Sequence, residues 1–549
     1  MLAIISTCAL TGIDAYSVTV EVDIANGLPG FSLVGLPDSA VKEARERVFA
    51  ALKNSGFIIP SKKITINLAP GGIRKEGTAF DLPLALGILK ASGQIDFPNL
   101  DRMLFLGELS LDGSLRPVRG ALSAAIHGKK LGLKGLVLPN ENKLEAQFVS
   151  GLGIFAGANL VEVIEFLKHQ NFSMDNRIGN DLSNSPKTES INSIPATSSG
   201  VVHSLAPPSL HSTSLSTPKT ELDFSEVRGQ AFAKRALEVA AAGAHNFLMV
   251  GSPGCGKTLL ARRVPTIMPQ LNDDEALETM RVYSAAGMLK GKVGFIKDRP
   301  FRAPHHSISQ QALIGGGPWS RPGELSLAHN GLLFLDEFPE FHKDVVESLR
   351  QPLEEGSVTI SRALQSLTYP CRMMLGAAMN PCPCGFLLDR KRKCLCRLEE
   401  INRYRARLSG PLLDRIDIHL ELPVLKMSEL ESPVPAESSE VIQKRVQAAR
   451  EIQLRRYKEL GKEGEFGRIY CNGHLSGIQA RNICRLGENQ KLLLRKAVES
   501  IGLSARAYDR ILKVARTIAD LDAKEEIDSE HLAEAIHYRS LDRALELFS

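Results

Sequence analysis

Apolar and polar residues alternate in two stretches near the start of the chain. YSVTVEVDI, from Tyr16, and KKITINLAP, from Lys62, place an apolar residue at every second position. This period of two predicts β-strands with one buried face. DSAVKEARERVFAALKNSG and DLPLALGILKASG show instead the three-to-four-residue spacing of helices. Together these patterns predict an α/β domain over residues 1–169.

The periodic pattern stops between residues 170 and 221. Segments such as NDLSNSPKTESINSIPATSSG are rich in Ser, Thr, Asn and Pro and poor in large apolar side chains. Such a composition buries too little apolar surface to offset the entropy of ordering. We predict a flexible linker over this range.

Patterning resumes at Phe224. A helical stretch, QAFAKRALEVAAAGA, precedes a short apolar strand, NFLMV, a glycine loop and another helical stretch. This order is typical of a parallel-sheet nucleotide fold, which we place over residues 222–425. Pro423 and Pro433 then interrupt the pattern, and helical spacing from Glu440 onward predicts a mostly helical lid over residues 426–549.

Composition narrows the class of protein. Of the 549 residues, 43% are hydrophobic and 23% charged, which is ordinary for a globular chain. The apolar start lacks a basic flank, and no apolar run approaches the ~20 residues that cross a bilayer. We therefore expect a cytoplasmic protein whose nine cysteines stay reduced. A net charge of +5 favours a polyanionic partner only weakly, and 5% aromatic residues argue against recognition dominated by base stacking.

The glycine loop GSPGCGKT fits the phosphate-binding P-loop pattern and lies between a predicted strand and helix, the context that this motif requires. Its glycines let backbone amides approach phosphates, while Lys257 is placed to meet the β- and γ-phosphates and Thr258 to ligate Mg²⁺. A chance glycine turn is the alternative. The predicted ATP contacts of the loop are Gly251, Ser252, Pro253, Gly254, Cys255, Gly256, Lys257 and Thr258.

A second motif, which is acidic, follows in GLLFLDE, where four apolar residues precede Asp336 and Glu337. A buried parallel strand would deliver these carboxylates at its C-terminal end. Asp336 is predicted to hold Mg²⁺ and Glu337 to polarise the attacking water. The run alone could equally be a buried strand that ends in acids, but the upstream P-loop favours the catalytic interpretation.

Four cysteines cluster in one loop beside the basic residues at 390–393. Four thiols in a reducing compartment match the stoichiometry of a structural Zn²⁺ site. The C-x-C spacing is tighter than the usual C-x2-C, so a loop of free thiols remains the alternative. The candidate ligands are Cys382, Cys384, Cys394 and Cys396.

Four motifs between Phe301 and Leu422 give the chain a resemblance to a known family. FRAPHHSISQQALIGGG, PGELSLAHNGLLFLDEFPEF, MNPCPCG and YRARLSGPLLDRIDIHLEL resemble the magnesium-chelatase-like AAA+ proteins of the YifB/ComM branch. The resemblance implies an α/β P-loop core of the helix-2-insert clade and hydrolysis of ATP with Mg²⁺. It also implies a homo-oligomeric ring, most often a hexamer, since a neighbouring subunit completes each site.

The resemblance implies roles for four more residues. Asn380 looks like the sensor that positions the attacking water, Arg415 like the arginine finger offered to the neighbouring subunit, and Arg506 like the second sensor of the lid. For each arginine a surface salt bridge is the alternative. Val227 occupies the place where AAA+ proteins pack the adenine base.

Two segments could contact a substrate. GSVTISRALQSLTYP has two β-prone arms around Arg362. It resembles the hairpin that grips DNA in related helicases, which makes Arg362 a possible DNA contact and a solvated turn the alternative. His305 and His306 could bind metal, although adjacent histidines more often hydrogen-bond locally.

The segment Gly107 to Asn142 resembles the Lon protease domain. Ala79 stands where that family has its nucleophilic serine, and Ser123 where it has the partner lysine, so the resemblance implies a fold without dyad chemistry. Thr78 could replace the nucleophile, but its partner position holds no lysine. We expect a role in assembly or DNA binding. The candidate basic surface consists of Arg74, Lys75, Arg116 and Arg119.

The function implied by the resemblance is that of a DNA helicase that promotes branch migration during natural transformation, with single-stranded or branched DNA as its partner. The alternatives are an ATP-driven protein remodeller and a metal-chelatase-type motor that acts on a protein partner. The Lon-like domain argues against the chelatase type, since chelatase motor subunits typically lack it, and Ala79 and Ser123 argue against a protease.

Overall fold

The computed structural model of the chain describes residues 2–96, 100–169, 222–289, 296–317, 321–361, 366–389, 392–424, 436–460, 469–502 and 504–539. These residues form two compact units. The first comprises the described residues up to 169 together with 287–289, and the second comprises those from 222 to 286 and from 296 onward. The predicted linker, residues 170–221, and Arg362 lie outside the described residues. Within the described ranges no helix is both long and apolar enough to cross a membrane.

The first unit contains a four-stranded sheet. Its strands are β1 (Leu2–Thr11), β2 (Asp14–Ala25), β3 (Gly30–Val34) and β4 (Lys63–Ala69), in the order β1-β2-β4-β3. In β2 the side chains of Val18, Val20 and Val22 are buried, while the residues between them are more exposed. The alternating pattern therefore predicts both the strand and its inner face correctly.

The other elements of the first unit complete its core. The helices are α1 (Ser39–Lys42), α2 (Ala44–Asn54), α3 (Asp81–Ala91), α4 (Ala121–Lys130), α5 (Lys143–Ala146) and α6 (Leu160–His169). The strands β5 (Met103–Phe105), β8 (Gly135–Pro139) and β9 (Gly153–Gly157) form a parallel sheet, and β6 (Glu108–Leu109) pairs with β7 (Leu115–Arg116). α3 packs on β1 and β2 and is buried over nearly its whole length, which explains its almost wholly apolar sequence.

One part of the expected basic surface is wrong. Lys75 is buried, and its Nζ donates a hydrogen bond to the carbonyl oxygen of Pro70. Arg74 and Arg116 have side chains that are 50% and 64% exposed. A lysine and an arginine that neighbour each other in sequence thus differ in burial because only the tertiary packing decides it.

A five-stranded parallel sheet is the centre of the second unit. Its strands are β10 (Phe247–Gly251), β11 (Phe301–Arg302), β14 (Leu332–Leu335), β17 (Met374–Met379) and β18 (Ile418–Leu422), in the order β11-β14-β17-β10-β18. The accompanying helices are α7 (Ala231–Gly243), α8 (Lys257–Ile267) and α9 (Asp273–Ala286). Strand order reverses at β10, and in such sheets the loops at the C-terminal strand ends form the ligand crevice.

Two hairpins are inserted into this framework. Between β11 and β14 the chain forms a short helix, a hairpin and another short helix, which agrees with the implied helix-2 insertion. These elements are α10 (Gln310–Ile314), β12 (Gly315–Gly316), β13 (Arg321–Pro322) and α11 (Glu324–Leu327). The predicted second hairpin is confirmed. It comprises β15 (Ser357–Ser361) and β16 (Ser366–Pro370) and follows α12 (Lys343–Glu347) and α13 (Arg350–Glu355).

The C-terminal region is helical, as the sequence predicts. After α14 (Leu398–Arg405) and α15 (Gly410–Leu413), its helices are α16 (Ser439–Leu460), α17 (Gly477–Ile483), α18 (Glu488–Ile501), α19 (Ala505–Leu521) and α20 (Ser529–His537). α19 contacts α7 and α16, and its apolar side chains belong to the same core as β10 and α8. The fold is therefore α/β, with a parallel sheet and a helical C-terminal region.

Candidate nucleotide site

The P-loop connects β10 to α8. Gly254 and Gly256 have φ values of +81° and +95°, a conformation that glycine adopts without strain. Gly251 is equally constrained, because a Cβ there would lie 2.6 Å from Cys255 Sγ. Ser252 and Cys255 are buried, so the loop presents mainly backbone at the start of α8. The N-terminal end of a helix carries partial positive charge, which suits a bound phosphate.

Lys257 already makes several hydrogen bonds within the loop. Its Nζ donates to the carbonyl oxygens of Gly251 at 2.6 Å and Ser252 at 3.1 Å, and to Asn380 Oδ1 at 3.1 Å. Asn380 directly follows β17, the strand next to β10. The structure thus brings together the predicted phosphate-binding lysine and the predicted sensor.

Thr258 and Asp336 form a second pair at the same edge of the sheet. Thr258 Oγ1 donates to Asp336 Oδ2 at 2.6 Å, and Asp336 Oδ1 accepts the backbone N–H of Glu337 at 3.0 Å. A hydroxyl and a carboxylate are oxygen ligands of the kind that Mg²⁺ prefers. The residues present therefore fit the predicted Mg²⁺ site.

Residues of α14 contact the backbone of Asn380 and of the residue after it. Burial raises the pKa of Tyr404 to about 12, against a hydrogen bond from the backbone of Asn380, so this phenol stays protonated at neutral pH. Arg405 Nε donates to the carbonyl oxygen of Pro381 at 3.3 Å. These contacts fix the backbone of the segment that carries the predicted sensor.

The two adjacent histidines have different partners. His305 Nδ1 shares a hydrogen bond of 2.9 Å with Ser307 Oγ, which is the local bonding expected of such pairs. His306 Nδ1 lies 3.1 Å from Glu337 Oε2, the carboxylate predicted to polarise water. Among the described residues neither histidine belongs to a group of three or more possible metal ligands. The structure supports the local interpretation and adds a contact with the acidic motif.

Arg415 and Arg506 meet at one carboxylate of α13. Arg415 donates to Glu354 and, at 2.7 Å, to the carbonyl oxygen of Pro411, while Arg506 Nη2 lies 3.9 Å from Glu354 Oε1. The Arg415 hydrogen bond is the main reason that the pKa of Glu354 lies below its usual range. Glu354 is 54% exposed. The two arginines therefore share an exposed acid, although Arg415 is itself buried and Arg506 is 56% exposed.

The expected adenine-binding segment adjoins the P-loop. Val227 is buried, and its carbonyl oxygen accepts a hydrogen bond from Lys234. Gln230 Nε2 donates to the carbonyl oxygens of Pro423 at 2.8 Å and Cys255 at 3.4 Å. This hydrogen bond from Gln230 to Cys255 places the segment beside the P-loop. The role of Val227 in packing the adenine base stays a prediction.

The four clustered cysteines converge in space. The Sγ atoms of Cys382 and Cys384 are 3.4 Å apart, each lies 3.6 Å from Cys394 Sγ, and with Cys396 all four lie within 4.8 Å of one another. Burial acts to raise the pKa of Cys384, but hydrogen bonds from the backbone of Phe386 and from Cys382 outweigh it and lower that pKa to about 6. The cluster could thus offer thiolate sulfur to a metal ion.

Three family models match the chain: "Magnesium chelatase, subunit ChlI" over residues 223–430, "Subunit ChlI of Mg-chelatase" over 20–142 and "Magnesium chelatase, subunit ChlI C-terminal" over 436–539. Competence protein ComM of Haemophilus influenzae is 42% identical over 552 residues, which cover 100% of this chain and 99% of that protein. The chain belongs to the magnesium-chelatase-like AAA+ family of ComM and YifB. Uncharacterized protein YifB of Escherichia coli is 41% identical over 545 residues, 99% of this chain and 98% of that one.

Membership of this AAA+ family supports an ATPase that uses ATP and Mg²⁺ and that oligomerises. A further relative, Lon protease 2 of Bacillus subtilis, is 30% identical over 128 residues, which are 23% of each chain. This match agrees with a Lon-like first unit. ComM/YifB membership and the Lon match therefore cover both units of the molecule.

The hydroxyl groups near the positions compared with the Lon dyad, Thr78 before α3 and Ser123 within α4, make hydrogen bonds inside the first unit. Thr78 donates to Glu108, and Ser123 is buried and donates at 2.5 Å to the carbonyl oxygen of Ile13. Ala79, between Thr78 and α3, carries no nucleophile. These positions resemble a protease site in sequence position alone.

Sequence reasoning did not single out Glu354 or Tyr404, and it did not connect His306 with Glu337. Each contact joins residues that are far apart in the chain, such as Arg415 and Glu354 at a separation of 61 residues. No spacing rule reports contacts of this kind. The only available signal was the run PHHS in a motif shared with the family.

Proposed function

We propose that the chain is an ATP-driven DNA helicase that promotes branch migration during homologous recombination in natural transformation. It works in the cytoplasm as a homo-oligomeric ring, a hexamer, on single-stranded or branched DNA. The pair of contacts Lys257–Asn380 and Thr258–Asp336 carries the motor part of the proposal. The DNA part is supported by the full-length similarity to a protein named for competence.

ATP binding would exchange the internal contacts of the P-loop for contacts with phosphate. Lys257 would move its hydrogen bonds from the carbonyl oxygens of Gly251 and Ser252 to the β- and γ-phosphates. Mg²⁺, held by Thr258 and Asp336, supplies charge neutralisation at the phosphates when bound. Glu337 polarises the attacking water and Asn380 orients it.

Arg415 would act on the nucleotide of the neighbouring subunit, and Arg506 would act as the second sensor of the lid. Their described ion-pair partner is the exposed Glu354 rather than a P-loop residue. An arginine aimed at the γ-phosphate stabilises the charge that develops there. Hydrolysis in one subunit then depends on its neighbour, which is why the proposal needs a ring.

The hairpin β15–β16 would contact the DNA backbone. The hairpin begins two residues after Glu355, the last residue of α13. A movement of Glu354 with its two arginines would therefore also move the hairpin. Arg362, at the predicted tip, would contribute a phosphate contact. Grip through phosphates predicts that DNA binding weakens steeply with salt.

The proposed organisation has four parts. Residues 1–169 form a proteolytically inactive Lon-like domain, 170–221 a flexible linker, 222–425 the ATPase core and 426–549 a helical lid. We also propose that Cys382, Cys384, Cys394 and Cys396 hold one structural Zn²⁺ ion, because their sulfur atoms converge.

The test is ATP-dependent movement of a synthetic three-strand DNA junction, comparing wild type with Glu337→Gln. We expect branch migration by wild type and its loss in the variant, with nucleotide binding retained. Glu340→Gln is the matched control, because Glu340 lies three residues away and pairs with Arg407 at 2.8 Å on the surface. If wild type hydrolyses ATP but DNA neither moves nor stimulates hydrolysis, the DNA proposal is wrong.

A second candidate is a metal-chelatase-type motor or protein remodeller that acts on a protein partner. The observation in its favour is that three family models named for magnesium chelatase match residues 20–142, 223–430 and 436–539. This candidate predicts that ATPase activity is indifferent to DNA. The DNA-stimulated ATPase rate therefore separates the two.

A further inference from the structure

The cysteine cluster forms part of the wall of the nucleotide site. Cys382 lies two residues after Asn380, which accepts a hydrogen bond from Lys257 at 3.1 Å. Gly385 packs directly on the P-loop, since a Cβ at Gly385 would lie 2.5 Å from Pro253 Cδ and 3.9 Å from Asn380 Cγ. Because glycine has no Cβ, Gly385 can make this close approach and also adopt its positive φ of 84°. The cysteine loop has a first arm, with Cys382 and Cys384, and a second arm, with Cys394 and Cys396. The first arm therefore contacts both the P-loop and the predicted sensor, Asn380.

The sulfur geometry matches a single tetrahedral ion. Zn²⁺ binds thiolates at about 2.3 Å in a tetrahedron, which separates neighbouring sulfur atoms by about 3.8 Å. The observed separations of 3.4 and 3.6 Å are close to this value. A disulfide would instead require about 2.05 Å between two sulfur atoms, and all four cysteines are free.

Little buried apolar surface holds this loop in place, although Arg392 lies over the Phe386 ring and its backbone N–H donates to Asp389. Within 381–389 and 392–397, the described residues of the segment, only Pro381, Cys382 and Gly385 are buried. Leu395, between the last two cysteines, is 86% exposed. With so few buried apolar side chains, the conformation of the second arm depends on the sulfur atoms.

We propose that zinc binding and nucleotide binding are coupled, because the ion holds the segment from Asn380 to Gly385 against the P-loop. This inference rests on the proposed zinc site. The ion would fix Cys382 and Cys384, and these would fix the neighbours that contact Pro253 and Lys257. Coupling between two sites is reciprocal, so nucleotide also strengthens retention of zinc.

The first test removes the metal by replacing the two cysteines that are farther from Asn380 in the sequence. The double variant Cys394→Ser with Cys396→Ser keeps Cys382, Cys384 and Gly385 and should lose about one zinc ion per chain. We expect its affinity for a fluorescent ATP analogue to fall on the order of tenfold. Leu395→Ser is the matched control, since it places the same residue type between the ligands and leaves all four sulfur atoms, and it should retain zinc and affinity.

The second test needs no variant. Zinc release from the wild-type chain to a chelator is timed with and without the ATP analogue, and nucleotide should slow it on the order of tenfold. If zinc is present but its loss leaves nucleotide affinity unchanged, and nucleotide does not slow release, the coupling is refuted while the zinc site stands. A wild-type chain that contains no zinc overturns both. A chain that holds zinc but binds no nucleotide would instead contradict the proposed ATPase.

Discussion

The two units contain the same chemical pairs in opposite settings. In the first unit Arg47 donates to Asp81 at 2.7 and 3.0 Å and also to the carbonyl oxygen of Ala40. Asp81 has no exposed side-chain surface and accepts a further hydrogen bond from the backbone of Leu109. Thr78, close by in sequence, donates to Glu108. These groups satisfy one another.

In the second unit the corresponding pairs each include a residue that is exposed to solvent. Glu354 is 54% exposed and receives both Arg415 and Arg506. Arg415 Nε is buried without a hydrogen-bond partner among the described residues. Thr258 and Lys257 are partly exposed beside a glycine loop. The residues of a binding site can give up their internal hydrogen bonds for bonds to a ligand, whereas those of a structural pair cannot. Exposure to solvent, rather than residue type, distinguishes the two cases.

The largest expected contrast is between the two arginines. Arg415→Ala should lower kcat by about 10³-fold, the value typical of an arginine finger. Although Arg415 is itself buried, the acid that it leaves behind, Glu354, is 54% exposed and can be solvated, so the loss of stability should be small. Arg47→Ala should mainly lower the stability of the fold. It leaves Asp81 buried without its partner, which costs about 3–5 kcal/mol, and it should leave the ATPase rate of the folded chain unchanged.

Both arginine variants are measured by ATPase assay and by thermal unfolding of the full chain. A nucleotide analogue identifies the transition of the second unit, since ligand binding stabilises the unit that binds it. If Arg47→Ala reduces kcat in a chain that is still folded, the first unit takes part in catalysis and the comparison fails.

The two threonines give the next contrast. Thr258→Ala removes a proposed Mg²⁺ ligand and should reduce the ATPase rate by about 10²-fold, in line with the loss of a ligand or its close support. Thr78→Ala should leave the ATPase rate unchanged. Neither variant should alter the absence of casein cleavage that we expect of wild type, because Ala79 and Ser123 provide no nucleophile and base. Casein cleavage that is lost in Thr78→Ala would show a proteolytic first unit.

Local signals in the sequence predict a large part of this site. The P-loop, the acids after β14 and the inner face of β2 each follow from spacing within about ten residues. Lys75 was misjudged because its burial depends on distant elements. Glu354 was missed because an acid in a short helix acquires its role only when Arg415 and Arg506 reach it. The sequence therefore predicts the loop that would bind the nucleotide better than the surface that would complete a neighbour's site.

A smaller contrast separates the two adjacent histidines. His306 Nδ1 is 3.1 Å from Glu337 Oε2, so it restrains the carboxylate that must reach the attacking water. His306→Ala should raise the basal ATPase rate by about two- to tenfold, the equivalent of one hydrogen bond of about 0.5–1.5 kcal/mol, with nucleotide affinity unchanged. His305→Ala removes the contact with Ser307 and the ring contact with His306, whose centroid lies 4.0 Å away, but none with Glu337, and it should have no effect. Equal effects of both variants would show that the contact between the two imidazole rings, and not the contact with Glu337, matters.

A last contrast between the units concerns acid stability. His245 and His329 are fully buried in the second unit, and burial lowers the pKa of each, against the neighbouring Asp417 and Glu278. Folded chains therefore keep both histidines neutral, whereas unfolded chains protonate them near pH 6.5. Stability is fully present above about pH 6.5 and falls as the pH drops below it, by at most about 1.4 kcal/mol per pH unit for each histidine.

Thermal unfolding of the full chain at about pH 7.5 and about pH 5.5 checks this sign. The transition of the second unit should fall further on acidification than that of the first, in which the one histidine with a described side chain, His127, is only partly buried and bonds to Ser17 at 2.9 Å. His329→Gln should flatten the pH dependence of the second unit, since its remaining slope would come from His245 and from His474, whose pKa burial lowers to about 3. An unchanged slope in that variant would mean that other groups control the acid response, and the contrast between the units would then extend to their carboxylates.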